Sequence, residues 1–244
     1  MSDALLEMSE NHRALRLSII VPTLNEADRI PRQLAALIPL RRRGHEVIVV
    51  DGGSSDGTAV RAQALADLVL AAPRGRASQM NTGAAQARGD VLLFLHADTQ
   101  LPERADELVL RVLAESSRAW GRFDVMIEGS HPMLAVIAWF MNHRSRLTGI
   151  ATGDQAMFVR RGIFFESGGF PNIPLMEDIA YSRILKAISA PLCLREQAIT
   201  SGRRWEAHGV FRTILKMWGM RLAFFLGADP TRLAKAYGYV PHTG

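Results

Sequence analysis

Leu17-Ser-Ile-Ile-Val21 is a short β-branched apolar run closed by Pro22, the pattern of a strand buried on both faces. From Asp28 to Leu40 the apolar positions switch to helical spacing. Ile30, Leu34, Leu37 and Ile38 share one side, and Pro31 suits the first turn. Glu46 to Val50 predicts a second strand, ended by Asp51-Gly-Gly-Ser-Ser-Asp-Gly57. Thr58 to Ala66 reads as a helix, Leu68 to Leu70 as a short strand, and the small-residue-rich stretch Arg76 to Arg88 as a helix. Val91 to Leu95 predicts a fourth strand, followed at once by His96-Ala-Asp98. This alternation predicts an α/β fold whose sheet is mostly parallel, with right-handed crossovers. Ligands of such sheets bind beyond the carboxyl ends of the strands. The polar clusters Thr23 to Glu26, Asp51 to Asp56 and His96 to Thr99 fall at those ends.

The second half is less regular. Helices are expected over Pro102 to Glu115, Pro132 to Leu147 and Met176 to Ser189, the last opening with Glu177-Asp178. Arg122 to Glu128, Ala156 to Arg160 and Leu192 to Thr200 read as extended, and Gly168-Gly-Phe-Pro171 as a turn. Val210 to Tyr237 predicts two amphipathic helices broken near Gly227 to Pro230. Repeats and linkers are absent from the sequence, so the expected organisation is one domain, 17–205, with a helical tail, 206–244, packed on or capping it. In the tail, Phe211, Ile214, Leu215, Trp218, Leu222 and Phe225 fall on one helical side. That stripe suits a lid, a membrane-surface contact, or plain packing on the core.

Charge and composition narrow the function little. The net charge is +5 and the sequence pI about 10.0, and only three of the 29 basic residues are lysines (Lys186, Lys216, Lys235). Arginine suits phosphates and carboxylates through its planar fork, though codon bias gives the same excess. Basic residues do not interleave with aromatics and zinc-ligand spacing is lacking, so no nucleic-acid partner is expected. Met1 to Arg16 lacks the apolar core of a signal peptide, and the apolar run Met133 to Met141 is too short to cross a bilayer. Cys193 is the sole cysteine, which rules out an intrachain disulfide. A cytoplasmic setting, with contact at the inner face of the membrane as an option, fits these features.

Carboxylates at the strand ends carry the chemistry. Asp98 after the fourth strand suits a divalent cation, because hard cations prefer carboxylate oxygen. Asp51 before two glycines could accept an imide N–H from a nucleobase, or bond its own turn. Asp56 reads as a helix cap, and Asp178 either caps a helix or takes a proton. Glu177 beside it would raise the pKa of Asp178 by like-charge repulsion.

Taken in order, these pieces form a known pattern: Val21-Pro-Thr-Leu-Asn-Glu26, Val49-Val-Asp-Gly-Gly-Ser-Ser-Asp-Gly-Thr58, Gly75-Arg76, Asn81-x-Gly83, Leu93-Phe-Leu-His-Ala-Asp98, Gly168-Gly-Phe170 and Glu177-Asp178. The chain resembles the family-2 glycosyltransferases, with the Rossmann-like GT-A fold, from Ser18 to about Trp205. Phe94 to Thr99, Thr200 to Trp205 and Leu226 to Pro230 are similar to a bacterial subgroup labelled selenodomain-associated or arsenosugar-biosynthesis transferases. The resemblance implies an inverting transferase that moves a sugar from a nucleotide-diphosphate sugar, a UDP-sugar, to an acceptor hydroxyl, assisted by Mn²⁺ or Mg²⁺. It implies Asp178 as catalytic base and Asp98 as metal ligand. It places Pro22, Thr23, Asn25, Glu26, Asp51, Arg76 and Asn81 around the nucleotide sugar. His96 stands where the family has the first aspartate of Asp-x-Asp; it contacts ribose, ligates metal, or packs. Asp154, Gln155 and Glu177 would face the acceptor or diphosphate, as would Arg203, Arg204 and Trp205; His208 is a weaker metal candidate. The alternatives are a sugar nucleotidyltransferase, which should carry a basic glycine-rich loop where Pro22 to Glu26 stands, and a non-catalytic nucleotide-sugar-binding protein.

Overall fold

The computed structural model describes residues 15–238. The side chains of Arg204 and His208, and residues 1–14 and 239–244, lie outside the described residues. The chain runs β1 (Leu17–Thr23), α1 (Ile30–Arg42), β2 (Glu46–Asp51), α2 (Thr58–Gln63), β3 (Leu68–Ala71), α3 (Arg76–Gln86), β4 (Val91–Phe94), β5 (Thr99–Gln100), α4 (Ala105–Ala114) and β6 (Trp120–Glu128). Next come α5 (Met133–Thr148), a 3-10 turn (Gly153–Gln155), β7 (Phe158–Arg160), α6 (Arg161–Glu166), α7 (Glu177–Ile188), β8 (Leu192–Ser201), α8 (Arg203–His208), α9 (Val210–Phe225) and α10 (Pro230–Tyr237).

The eight strands form one sheet in the order β3-β2-β1-β4-β7-β6-β8-β5. β1, β2, β3 and β4 pair in parallel, and so do β6 and β8; β7 runs antiparallel to both its neighbours and β5 antiparallel to β8. Because β7 is reversed, the segment leading into it, Gly153–Gln155, arrives at the edge where β1, β2 and β4 end. That reversal brings second-half residues to the predicted ligand edge.

Strand residues alternate between two buried layers, as the period of two requires. Ile19, Val21, Val47, Val49 and Leu93 pack with Leu34 and Leu37 of α1 and Val109 and Leu113 of α4. Ile20, Ile48, Val50, Leu92 and Phe94 pack with Met80 and Ala84 of α3 and Tyr181 and Leu185 of α7. Gly83 lets α3 lie close: a Cβ there would stand 2.6 Å from Ile20.

The tail holds the two expected helices, and α8 forms just before them, where no element was expected. Met220 and Leu233 pack against Met176 and Ile179, so the tail joins the main body. The apolar stripe of α9 divides. Ile214 turns inward against the Val125–Leu134 cluster, whereas Phe211 and Trp218 are 64% and 60% exposed, and Leu215, Leu222 and Phe225 are exposed as well. Packing on the core therefore accounts for Ile214 and leaves the rest of the stripe facing solvent. No helix among the described residues is long and apolar enough to cross a membrane.

Candidate active site

His96 and Asp98 follow β4 directly, and Asp154 sits in the 3-10 turn before β7. One ligand atom from each lies within 4.8 Å of the others. The His96 Nδ1 is 3.2 Å from Asp154 Oδ1, a bond that holds the ring's orientation. An imidazole and two carboxylates form a donor set suited to Mn²⁺ and tolerable to Mg²⁺. Asp154, expected on the acceptor side, thus converges on the metal candidates. Gly153 makes this convergence possible, because a Cβ there would fall 2.2 Å from the His96 ring. Gly153→Ala is therefore expected to push the imidazole aside and weaken Mn²⁺ binding by roughly tenfold or more. Titration calorimetry of the folded variant checks this; wild-type affinity would remove His96 from the ligand set.

Asp178 stands in the first turn of α7, after Met176 in a left-handed conformation (φ 66°). Its Oδ2 accepts the N–H of Gly153 at 2.9 Å and its Oδ1 that of Ile179 at 2.7 Å. The carboxylate therefore links the metal-side turn to α7, rather than only closing a helix end. Glu177 is 3% exposed. Burial, and then the charge of Asp178, push its pKa up to about 7, against the opposing pull of Arg76 and His96. The expected repulsion within the pair is present and acts on Glu177. Arg76 Nη1 lies 4.0 Å from Glu177 Oε1 at the margin of ion-pair distance.

Two adjoining cavities make up the cleft, sharing Arg76, His96, Asp98, Leu175, Glu177 and Tyr237 as a common wall. The first is bounded by Pro22, Thr23, Glu26, Arg74 and Gln79. The second is bounded by Thr152 to Asp154, Asp178, Thr200, Ser201 and Trp205, with Thr213, Met217 and Arg221 of α9. The metal candidates thus lie between a chamber lined by the β1 and α3 ends and a chamber holding Asp178.

Other expected site residues are engaged elsewhere. Asp51 is buried and bonds its own turn, its Oδ2 accepting from the backbone N–H of Gly53 at 3.0 Å and of Ser54 at 2.8 Å. It does not line either cavity. Asn25, at φ 54°, joins the β1 and β2 loops: its N–H donates to Ser54 Oγ, and its Oδ1 accepts from Ser55 N–H. Asp56 accepts from the Thr58 N–H at the start of α2, and its Oδ2 also accepts from the Ala27 N–H at 3.0 Å, so it ties the β1 and β2 loops together as well. Asn81 clamps the Gly168-Gly-Phe170 turn through both faces of the Phe170 backbone (2.8 and 3.0 Å) and does not reach the cleft. Gln155 is fully buried and bonds Asn142 Oδ1 and the Thr152 N–H, so it cannot face an acceptor. Arg203 is exposed on α8 and Trp205 borders the second cavity, while the Arg204 side chain lies outside the described residues.

Sequence reading missed Gln79, whose Nε2 donates to Thr23 O and Val50 O at 2.8 Å each and so fixes the first cavity's floor. The glycine after Asp51 was its signal: a Cβ on Gly52 would press on Gln79 at 3.1 Å. Arg221 and Tyr237 were missed too, because tail docking has no local signature.

The family model for glycosyl transferase family 2 matches residues 18–167, and the chain belongs to that family. It is 32% identical over 164 residues to the undecaprenyl-phosphate 4-deoxy-4-formamido-L-arabinose transferase of Yersinia enterocolitica, covering 63% of this chain and 50% of that protein. Against the same-named protein of Pseudomonas fluorescens it is 29% identical over 161 residues, covering 59% of this chain and 46% of that one. The chain spans about half the length of these curated relatives. Among solved structures it is similar to a Pyrobaculum calidifontis mannosyltransferase in complex with GDP-Man and Mn²⁺, with TM-score 0.57, 24% identity, and coverage of 77% of this chain and 57% of that one. It is also similar to S. aureus TarS 1–349 in complex with UDP, with TM-score 0.62, 18% identity, and coverage of 77% and 60%. These likenesses establish the GT-A-like fold: a mostly parallel sheet flanked by helices, here with C-terminal helices added.

Proposed function

We propose that the chain transfers a sugar, with inversion, from a nucleotide-diphosphate sugar to an acceptor hydroxyl, with Asp178 as general base. The observation that carries this reading is the cleft's division. A chamber at the β1 and α3 ends meets a chamber containing Asp178 at the wall where His96 and Asp98 stand. The donor would occupy the first chamber, over Pro22, Thr23 and Glu26, with Arg76 facing its diphosphate. Complexes of similar proteins with GDP-Man and Mn²⁺, and with UDP-GlcNAc, support a nucleotide-sugar donor; we take UDP as its nucleotide.

Asp98, His96 and Asp154 would hold Mn²⁺ or Mg²⁺, and a divalent ion stabilises charge developing on a departing diphosphate. Asp178 would take the acceptor's proton as its oxygen attacks the anomeric carbon from the side opposite the leaving group. Its two backbone N–H contacts hold the carboxylate in place while leaving lone pairs for that proton. Glu177, its pKa pushed up to about 7, carries only part of a second negative charge beside the diphosphate near neutral pH. The expected product carries the inverted anomeric configuration, read by NMR of the glycoside after donors are screened by thermal shift with and without Mn²⁺. A retained configuration would take the base role away from Asp178.

We propose membership of the selenodomain-associated or arsenosugar subgroup on the resemblance of Phe94 to Thr99, Thr200 to Trp205 and Leu226 to Pro230. We also propose that the tail touches an anionic bilayer surface. Phe211, Leu215, Trp218, Leu222 and Phe225 of α9 and Trp139 and Phe140 of α5 are exposed, with Arg212 and Lys216 nearby on α9. Flotation with phosphatidylglycerol liposomes is expected at low salt and lost when Phe211, Trp218 and Phe225 are replaced by serine. No flotation at low salt would rule this contact out.

A further inference from the structure

Arginine side chains that lose water normally gain a partner, since an unpaired buried cation is costly. Two arginines beside Asp178 break that rule. Arg221 of α9 lines the second cavity, and its Nε is shielded from solvent without a hydrogen-bond partner. Arg144, near the end of α5, has both Nε and Nη2 shielded and unpartnered. The two guanidinium groups repel one another, and Asp178 lies close enough to offset part of that repulsion for Arg144. Burial, and then the charge of Arg221, lower the Arg144 pKa to about 10. No carboxylate among the described residues bonds these nitrogens. Asp124 binds Arg122 and Arg146, and Asp178 binds Gly153 and Ile179. Three idle guanidinium nitrogens thus stand near Asp178, with Arg221 on the wall of the second cavity, which Pro22 and Thr23 do not line, and Arg144 close by.

We propose that Arg144 and Arg221 form an oxyanion pocket for the acceptor, and that the acceptor carries a phosphate monoester there. Guanidinium forks suit phosphate oxygens, and a dianion would satisfy the idle donors and cancel the repulsion together. The pocket rests on the transferase reading, in which the Asp178 chamber receives the acceptor. The phosphate could sit on a lipid or on a soluble metabolite.

The test is calorimetric titration with inorganic phosphate, on full-length protein carrying Mn²⁺ and the nucleoside diphosphate that stabilises it most. One phosphate should bind. Arg144→Met and Arg221→Met should each weaken it tenfold or more, while nucleoside diphosphate affinity stays within about threefold. Each variant, relieved of an unpaired cation, should melt at or above the wild-type temperature without ligands. Unchanged phosphate affinity in both variants would overturn the proposal. So would lower melting temperatures in both, since that would mean each guanidinium has a partner inside the protein. If no nucleoside diphosphate binds, the transferase reading fails, and phosphate titration with Mn²⁺ alone still tests the pocket. Donor turnover with lysophosphatidic acid against monoacylglycerol, and with glycerol 3-phosphate against glycerol, identifies the source, since each pair keeps an acceptor hydroxyl and differs in the phosphate. Stimulation by either phosphate over its alcohol supports the pocket, and equal turnover in both pairs counts against it.

Discussion

Asp178→Asn is expected to lower acceptor-dependent turnover by roughly 10²–10⁴-fold, the usual weight of a positioned general base. The substitution keeps the side chain's shape, and its amide oxygen can still accept from Gly153 or Ile179, the two bonds Asp178 makes. The loss of stability should therefore stay near ~1 kcal/mol. Nucleotide-sugar affinity should barely change, because Asp178 lines only the second chamber. Donor calorimetry beside turnover, both on protein with native-like melting, separates the two effects. A variant with near-normal turnover would reduce Asp178 to a tie between α7 and the 3-10 turn.

Asp98→Ala should show a different signature. Asp98 lies on the wall common to both chambers and belongs to the His96–Asp154 group. Its removal should abolish transfer and weaken Mn²⁺-linked donor binding at least tenfold, which corresponds to about 1.4 kcal/mol. Chelation of the wild-type enzyme should reproduce the loss, and added Mn²⁺ should restore the wild type but not the variant. Full activity in excess EDTA, with metal-free protein verified, would end the metal-assisted reading.

The alternating pattern of the first half was legible because each signal is local. A β-branched run, a glycine-rich turn and a helical stripe lie within ten or so residues, and all four of the first strands lie where periodicity put them. Asp98 and Asp178 were legible as candidates for the same reason. Asp154 was not legible as a metal candidate. Its place beside His96 depends on β7 pairing antiparallel with β4, Leu93 opposite Phe158, and nothing local specifies that register. Asn81 and Gln155 show the converse difficulty. A polar residue in a family-like motif or just ahead of a strand looks ready for a ligand, yet Asn81 is taken up by the Phe170 backbone and Gln155 is buried against Asn142. For Asn81 the two glycines of its partner turn hint at the clamp, because a Cβ on Gly169 would stand 2.9 Å from Asn81 Oδ1. Arg144 and Arg221 gave no sign in the sequence, where they are two among many arginines.

Tyr237 lines both chambers, although Pro22 and Thr23, which line the first, stand near the other end of the chain. During synthesis the chain emerges N-terminus first, at about 5–20 residues per second. The sheet edge bearing Asp98 can thus form on the ribosome well before α9 and α10 emerge to complete the wall. A nascent chain would then hold a half-built pocket for several seconds, and its wall would close only once α9 and α10 have emerged.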